Sequence, residues 1–118
     1  MRQSGRTTRH ILRLASEAGQ YQKLIVFICS NDAERGRCFK ILYEVLTAAG
    51  LQPRSSSKHS ISCVGTSYRI YGYVPDVHQF DGLRGKVDCD HYAMESMSVE
   101  DFNRFLRLVE WERMDAAK

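Results

Sequence analysis

Three things are scarce in this sequence, and each scarcity removes a class of protein. No apolar run approaches the roughly 20 residues of a membrane-spanning helix; the longest is the six residues from Leu24 to Cys29. The N-terminus alternates arginine with polar residues and carries no apolar stretch of the kind that marks a secretory signal. The four cysteines, Cys29, Cys38, Cys63 and Cys89, include no pair at CxxC spacing. A zinc site and a disulfide framework are therefore both disfavoured, and buried free thiols in a reducing cytoplasm are expected. Internal repeats and long low-complexity segments are also missing.

What remains is a chain of 118 residues with 43% hydrophobic content, enough for one small domain with a real core. Its net charge of +3 is unevenly placed. Arg2, Arg6, Arg9 and Arg13 all precede the first acidic residue, Glu17, and the rest of the chain holds 13 basic and 14 acidic residues. A near-neutral body with a basic head points to a local anion site more than to a general nucleic-acid coat.

Hydrophobic periodicity predicts the elements. Ile11, Leu14, Ala15 and Ala18 have helical spacing over 7–18, stopped by Gly19. The Leu24–Cys29 run suits a strand buried on both faces. Ser30, Asn31 and Asp32 read as turn and cap residues, and 33–49 as a helix with Cys38, Ile41, Leu42, Val45 and Ala49 on one face, ended by Gly50. Residues 52–58 read as a polar loop. Ser60–Val64 and Tyr68–Tyr73, joined by Gly65-Thr66-Ser67, read as a hairpin. Then come a loop from Pro75 to Gly85, a strand over Lys86–Cys89, and a last helix opened by Ser98 with Asp101 as a capping box and running to about Met114. The order αβα, hairpin, β, α implies a sheet flanked by helices.

Two segments carry candidate chemistry. Gly5-Arg6-Thr7-Thr8 opens a helix ahead of a strand, as the second half of a Walker A loop does. In such a loop, backbone N–H groups cradle phosphate, a Lys reaches the β- and γ-phosphates and the next hydroxyl binds Mg²⁺. Arg6 stands at the Lys position and Thr7 at the metal position; a planar guanidinium can hold phosphate but does not place a point charge as an ammonium does. A Ser/Thr-rich helix start with solvated arginines is the plainer alternative. The second segment is Lys86-Val87-Asp88-Cys89-Asp90-His91. It offers a short strand ending in Asp90, the Walker B arrangement that orients Mg²⁺, with His91 where an acid would activate water. An ordinary strand-to-loop Asp is the alternative there.

In order and spacing these segments resemble the ATPase core of the large terminase subunit, the DNA-packaging motor of tailed bacteriophages. Met1-Arg2-Gln3-Ser4-Gly5-Arg6-Thr7-Thr8 is similar to that family's variant Walker A. Ile25–Asn31 with its following helix, Gly65-Thr66-Ser67-Tyr68-Arg69-Ile70, Arg84-Gly85 and Val87–His91 follow in the family's order, over roughly residues 1–95. The resemblance implies an α/β fold: a small three-layer P-loop-like sheet flanked by helices, beginning one strand after the P-loop strand and containing an antiparallel hairpin. It implies phosphate-binding residues Arg2, Gln3, Ser4, Gly5, Arg6, Thr7 and Thr8, metal-binding Thr7 and Asp90, a Walker B region at Asp90 and His91, and ATP with Mg²⁺ as ligands. With Arg6 for Lys and His91 for Glu, hydrolysis is not expected, because an imidazole is neutral or cationic near pH 7 and cannot replace a carboxylate. The expected role is a non-catalytic one in the cytoplasm of the host bacterium, holding a phage or host protein partner. Nucleotide or phosphate binding, and nucleic-acid binding through the arginine-rich head, stand as alternatives; a membrane partner is not expected.

Other residues have plainer uses. Asp76, Asp81, Asp88 and Glu95 read mostly as a solvated acidic stretch. Tyr68, Tyr71 and Tyr73 with Arg69 suit packing better than base stacking. His10, His59 and His78 show no partner in sequence, and Trp111 reads as either a core anchor or part of an interface.

Overall fold

The computed structural model describes residues 3–20 and 23–116. Its helices are α1 (Gln3–Ser16), α2 (Asp32–Ala48), α3 (His91–Glu95) and α4 (Val99–Ala116), and its strands are β1 (Leu24–Ile28), β2 (Arg54–Ser57), β3 (Ser60–Cys63), β4 (Thr66–Tyr71) and β5 (Gly85–Cys89). A 3₁₀ turn spans Val77–Phe80. The strands form one sheet in the order β2-β3-β4-β1-β5. β1 pairs in parallel with both β4 and β5, whereas β2, β3 and β4 pair antiparallel in sequence.

β1 organises the molecule. All five of its residues are buried, as a strand covered on both faces requires. Ile25, Phe27 and neighbouring Cys29 share one core with Ile11 and Leu14 of α1 and Cys38, Leu42 and Leu46 of α2. Leu24, Val26 and Ile28 share the other with Phe80, Val87 and Leu108, against which Phe105 and Trp111 pack. The result is three layers, the α/β class expected from the element order. Among the described residues no helix is long and apolar enough to cross a membrane.

Several boundaries differ from expectation. Arg54–Ser57 is an edge strand and not a loop, because its backbone pairs with β3 although every side chain is exposed. Pairing of this kind leaves no hydrophobic alternation to read. The hairpin turn is Val64-Gly65, two residues with φ of 51° and 87°, where a three-residue connector was expected. Positive φ at both positions is what a tight hairpin demands, and Val64 is an uncommon residue to meet it. The five-residue α3 was not foreseen, nor was the 3₁₀ turn; both are too short for a periodic signal. The capping box did form, with the Asp101 N–H donating to Ser98 Oγ at 3.1 Å.

The crossing of the chain at the C-terminal ends of β1 and β4 is tight. A Cβ on Gly72 would lie 2.6 Å from the carbonyl carbon of Asn31 and 2.7 Å from the Asp32 nitrogen, both backbone atoms at the start of α2. Gly36, inside α2, faces open space. Gly72→Ala is accordingly expected to destabilise the protein by about 1–3 kcal/mol through overpacking, while Gly36→Ala stabilises it by about 0.5–1 kcal/mol through helix propensity. Urea unfolding of the two variants checks the opposite signs.

Candidate functional site

The two segments singled out in the sequence, 83 residues apart, meet. Parallel pairing with β1 extends β5 to Asp90, whose N–H donates to Ile28 O at 2.8 Å. The chain then turns into α3, with Asp90 as its N-cap: Oδ2 accepts from the Tyr92 N–H at 3.2 Å. The other carboxylate oxygen, Oδ1, accepts from the Thr7 hydroxyl at 3.0 Å. Thr7 and Asp90 are 1% and 5% exposed, so this bond is shielded from water. One residue outward on each element, Arg6 Nη1 lies 2.6 Å from His91 Nε2.

His91 Nε2 also lies 3.0 Å from Glu95 Oε2. These two contacts exclude each other chemically. Arg6 can only donate, so its bond needs a lone pair on Nε2, whereas a bond to Glu95 needs a proton there. Nε2 is thus contested between a cation and an anion. On the α2 side, Arg37 donates to Glu34 at 2.9 Å. Its guanidinium is held above its usual value first by that hydrogen bond, with the Asp90 charge adding at longer range.

The expected phosphate-binding residues occupy α1 itself. Gly5 and Arg6 are exposed, Thr7 is buried and Thr8 half-buried, all inside a helix that already starts at Gln3. Gln3 and Ser4 belong to the first turn of α1, and Arg2 lies outside the described residues. Of the expected set, the structure brings together Arg6, Thr7, Asp90 and His91. For Mg²⁺, the Thr7 hydroxyl and Asp90 carboxylate are suitable donors side by side, since this ion takes few protein ligands and completes its shell with phosphates and water. Both Asp90 oxygens already accept hydrogen bonds, so an ion there would have to replace Thr7 or Tyr92 as the partner. Among the described residues no cluster of three or more His, Cys, Asp or Glu side chains is arranged to hold a metal.

A second polar strip, which the sequence reading missed, continues along the same α1–β5 seam. His10 Nε2 is 3.8 Å from Asp88 Oδ1, and Lys86 Nζ is 2.7 Å from Glu17 Oε2 and 3.8 Å from Asp88 Oδ2. Its signal was present: Thr7 and His10 fall three residues apart on α1 with Glu17 just past its end, and Lys86 and Asp88 alternate along β5 with Asp90 just past it. Burial pushes the Asp88 carboxyl up, but His10 beside it and the Lys86 and Arg13 charges outweigh this and hold it below the usual carboxylate range.

The remaining candidates serve the fold. Asp76 caps the 3₁₀ turn through the His78 N–H, and Asp81 lies 3.5 Å from His78. Tyr68 is buried with its hydroxyl on Leu14 O at 2.6 Å, Tyr71 is buried in the opposite layer, and Tyr73 is exposed, so the three do not form one stacking platform. All four cysteines are free. Burial raises the Cys63 thiol and lifts that of Cys89 to about 12, and Cys29 is pushed up by its bond to Cys38 and by burial. These three thiols therefore stay protonated at neutral pH.

Compared with protein-family models, curated proteins and solved structures, the chain finds no match in any of the three. What this site does has to be judged from its own atoms.

Replacing Thr7 by Val should cost about 1–3 kcal/mol, because it leaves a buried acceptor on Asp90 without its donor, and Thr7→Ser should recover most of that loss in urea melts. The depressed Asp88 carboxyl makes stability depend on pH in one direction. Its contribution is present above the unfolded value, near 3.8, and is lost as pH falls through the lower folded value. The Tm should therefore drop on acidification from pH 5.5 toward pH 3, more steeply in the wild type than in Asp88→Asn, a comparison that differential scanning calorimetry makes directly.

Proposed function

We propose that this protein is a non-catalytic binding protein of bacteriophage origin, built on a degenerate terminase-like P-loop scaffold. In this reading it acts in the cytoplasm of the host bacterium by holding a protein partner, in DNA packaging or in takeover of the host. The observation that carries the proposal is the pairing of the would-be catalytic groups with one another. Arg6 contacts His91 at 2.6 Å and Thr7 donates to Asp90 at 3.0 Å. Phosphoryl transfer needs a cation on the transferring phosphate and a group that orients the attacking water. The first lies against His91, and at the second position stands an imidazole whose Nε2 can bond Arg6 or Glu95 but not both. Binding without turnover is the use such a site can support.

One observation favours a second reading, a nucleotide- or phosphate-binding remnant. A hydroxyl on the first turns of a helix bonded to a carboxylate at the end of a parallel strand is the arrangement that a Mg²⁺–phosphate group would enter. When bound, the ion would supply charge neutralisation for the phosphates, with Thr7 and Asp90 as its protein contacts.

Calorimetry with MgATP and MgADP, together with a phosphate-release assay, separates the readings. The expected result is phosphate release no faster than the buffer blank. Release above that blank and lost in Asp90→Asn overturns the non-catalytic reading. A binding heat that disappears in Arg6→Ala supports the phosphate-binding remnant. Affinity purification from phage-infected cells should return one protein in near-stoichiometric amount, and its absence through the infection cycle counts against a partner-holding role.

A further inference from the structure

A cavity of about 620 Å³ lies at the start of β5, the end of that strand remote from the Thr7–Asp90 pair. One face of α4 forms its wall: Arg107, Glu110, Trp111 and Met114 fall at i, i+3, i+4 and i+7, and all four line it. The indole is held by two contacts. Its Nε1–H donates to Leu83 O at 3.1 Å, and the ring packs against buried Phe80 at 5.3 Å between centroids. Leu83 and Met114, 43% and 67% exposed, give the cavity an apolar border. Arg84, which has an interaction of its own, and Asp81 and His78, 3.5 Å apart, also line it. Arg107 and Glu110 are exposed, and among the described residues neither side chain makes a hydrogen bond or ion pair.

We propose that this cavity binds a guanine base, at a site separate from the α1–β5 seam. The volume falls within the range of small-molecule pockets, roughly 300–1,000 Å³. A fixed indole offers a flat face on which a base can stack, and the Met114 thioether is a favourable neighbour for a ring edge. Stacking accepts any base; the two charged side chains select one. A carboxylate only accepts hydrogen bonds and has two oxygens, so Glu110 calls for two donors side by side. A guanidinium only donates, so Arg107 calls for adjacent acceptors. Guanine has both: N1–H beside the N2 amino group on one edge, and O6 beside N7 on the next, the pair that arginine commonly takes. Adenine and cytosine offer one amino group beside ring acceptors, and uracil and thymine one N–H between two carbonyls. Arg107 and Glu110 are neighbours on one helix face without an ion pair between them, so the two groups can address adjoining edges of a single base.

Trp111 is the sole tryptophan of the chain, so its indole N–H gives a single NMR signal that reports on this cavity. The probe is guanosine, which carries no phosphate and so does not test the Thr7–Asp90 pair. Inosine removes only the 2-amino group, and adenosine and cytidine keep the stacking plane with the wrong edges. The expected result is a saturable shift of the Trp111 signal with guanosine, at an affinity about tenfold above each of the three controls, as loss of a hydrogen bond to a charged group implies. Because both residues are exposed, Glu110→Gln and Arg107→Ala should keep the fold by circular dichroism. Glu110→Gln should weaken guanosine about tenfold and leave adenosine unchanged, and Arg107→Ala should weaken guanosine and inosine alike. GMP and the pentanucleotide d(TTGTT) then name the source of the base: tighter GMP assigns the site to a free nucleotide, and a tighter pentanucleotide assigns it to a single strand. The proposal is overturned if adenosine or cytidine binds as tightly as guanosine, if Glu110→Gln binds guanosine like the wild type, or if the Trp111 signal never saturates.

Discussion

The burial of β1 on both faces is the constraint from which the rest of the structure follows. Five consecutive apolar residues can shed water only if a layer of helix lies on each side of the strand. That requirement recruits α1 and α2 to one face and Phe80, Leu108 and Trp111 to the other. Parallel pairing on both flanks then aligns the C-terminal ends of β4, β1 and β5 at one edge of the sheet. Everything with candidate chemistry at that edge, including the tight Gly72 crossing and the Asp90 cap, is a consequence of this alignment.

A polar seam therefore arises at the β5 side of the sheet. β5 is the outermost strand beside β1, and Lys86, Asp88 and the following Asp90 meet Thr7 and His10 of α1 and the adjoining Glu17 through charges and hydroxyls. Its outward backbone is guarded as well: the Val87 N–H donates to Glu112 of α4 at 3.2 Å. Addition of a foreign strand at this edge would have to displace that carboxylate. On α4 next to it, Val99, Phe102 and Leu106 are exposed at helical spacing.

The seam is satisfied at one end only: Thr7 and Asp90 are paired, whereas His10 Nε2, Glu17 Oε1 and Asp88 Oδ2 are buried without a hydrogen-bond partner among the described residues. Arg6, Thr7, Asp90 and His91 are each in contact with a neighbour, and the Arg6–His91 and Thr7–Asp90 pairs hold α1 to the β5–α3 turn. A buried hydroxyl–carboxylate bond is costly to break from one side and inexpensive to exchange for an equivalent partner. Such a bond suits a structural clasp, and equally a site whose ligand brings its own donors. The cavity at the Trp111 end is different in kind, with an aromatic wall, apolar flanks and charge of both signs.

How much of this was legible beforehand depends on the range of the interaction. The sequence by itself determined β1, α2, β5 and α4, because each carries a periodic apolar pattern or a cap whose signal is local: Leu24–Ile28, the Asn31 cap, the Val87 alternation, Ser98 with Asp101. It also marked Arg6, Thr7, Asp90 and His91 as candidates by residue type and order. Only the tertiary structure decided that Arg54–Ser57 is a strand, since pairing of exposed serines leaves no trace in hydrophobicity. It alone placed Thr7 on Asp90, Arg6 on His91 and His10 beside Asp88, because contacts across 70 to 85 residues depend on the order of strands in the sheet. The half-loop at Gly5–Thr8 is thus a helix face whose partners were chosen by where β5 pairs, a choice that no local pattern encodes.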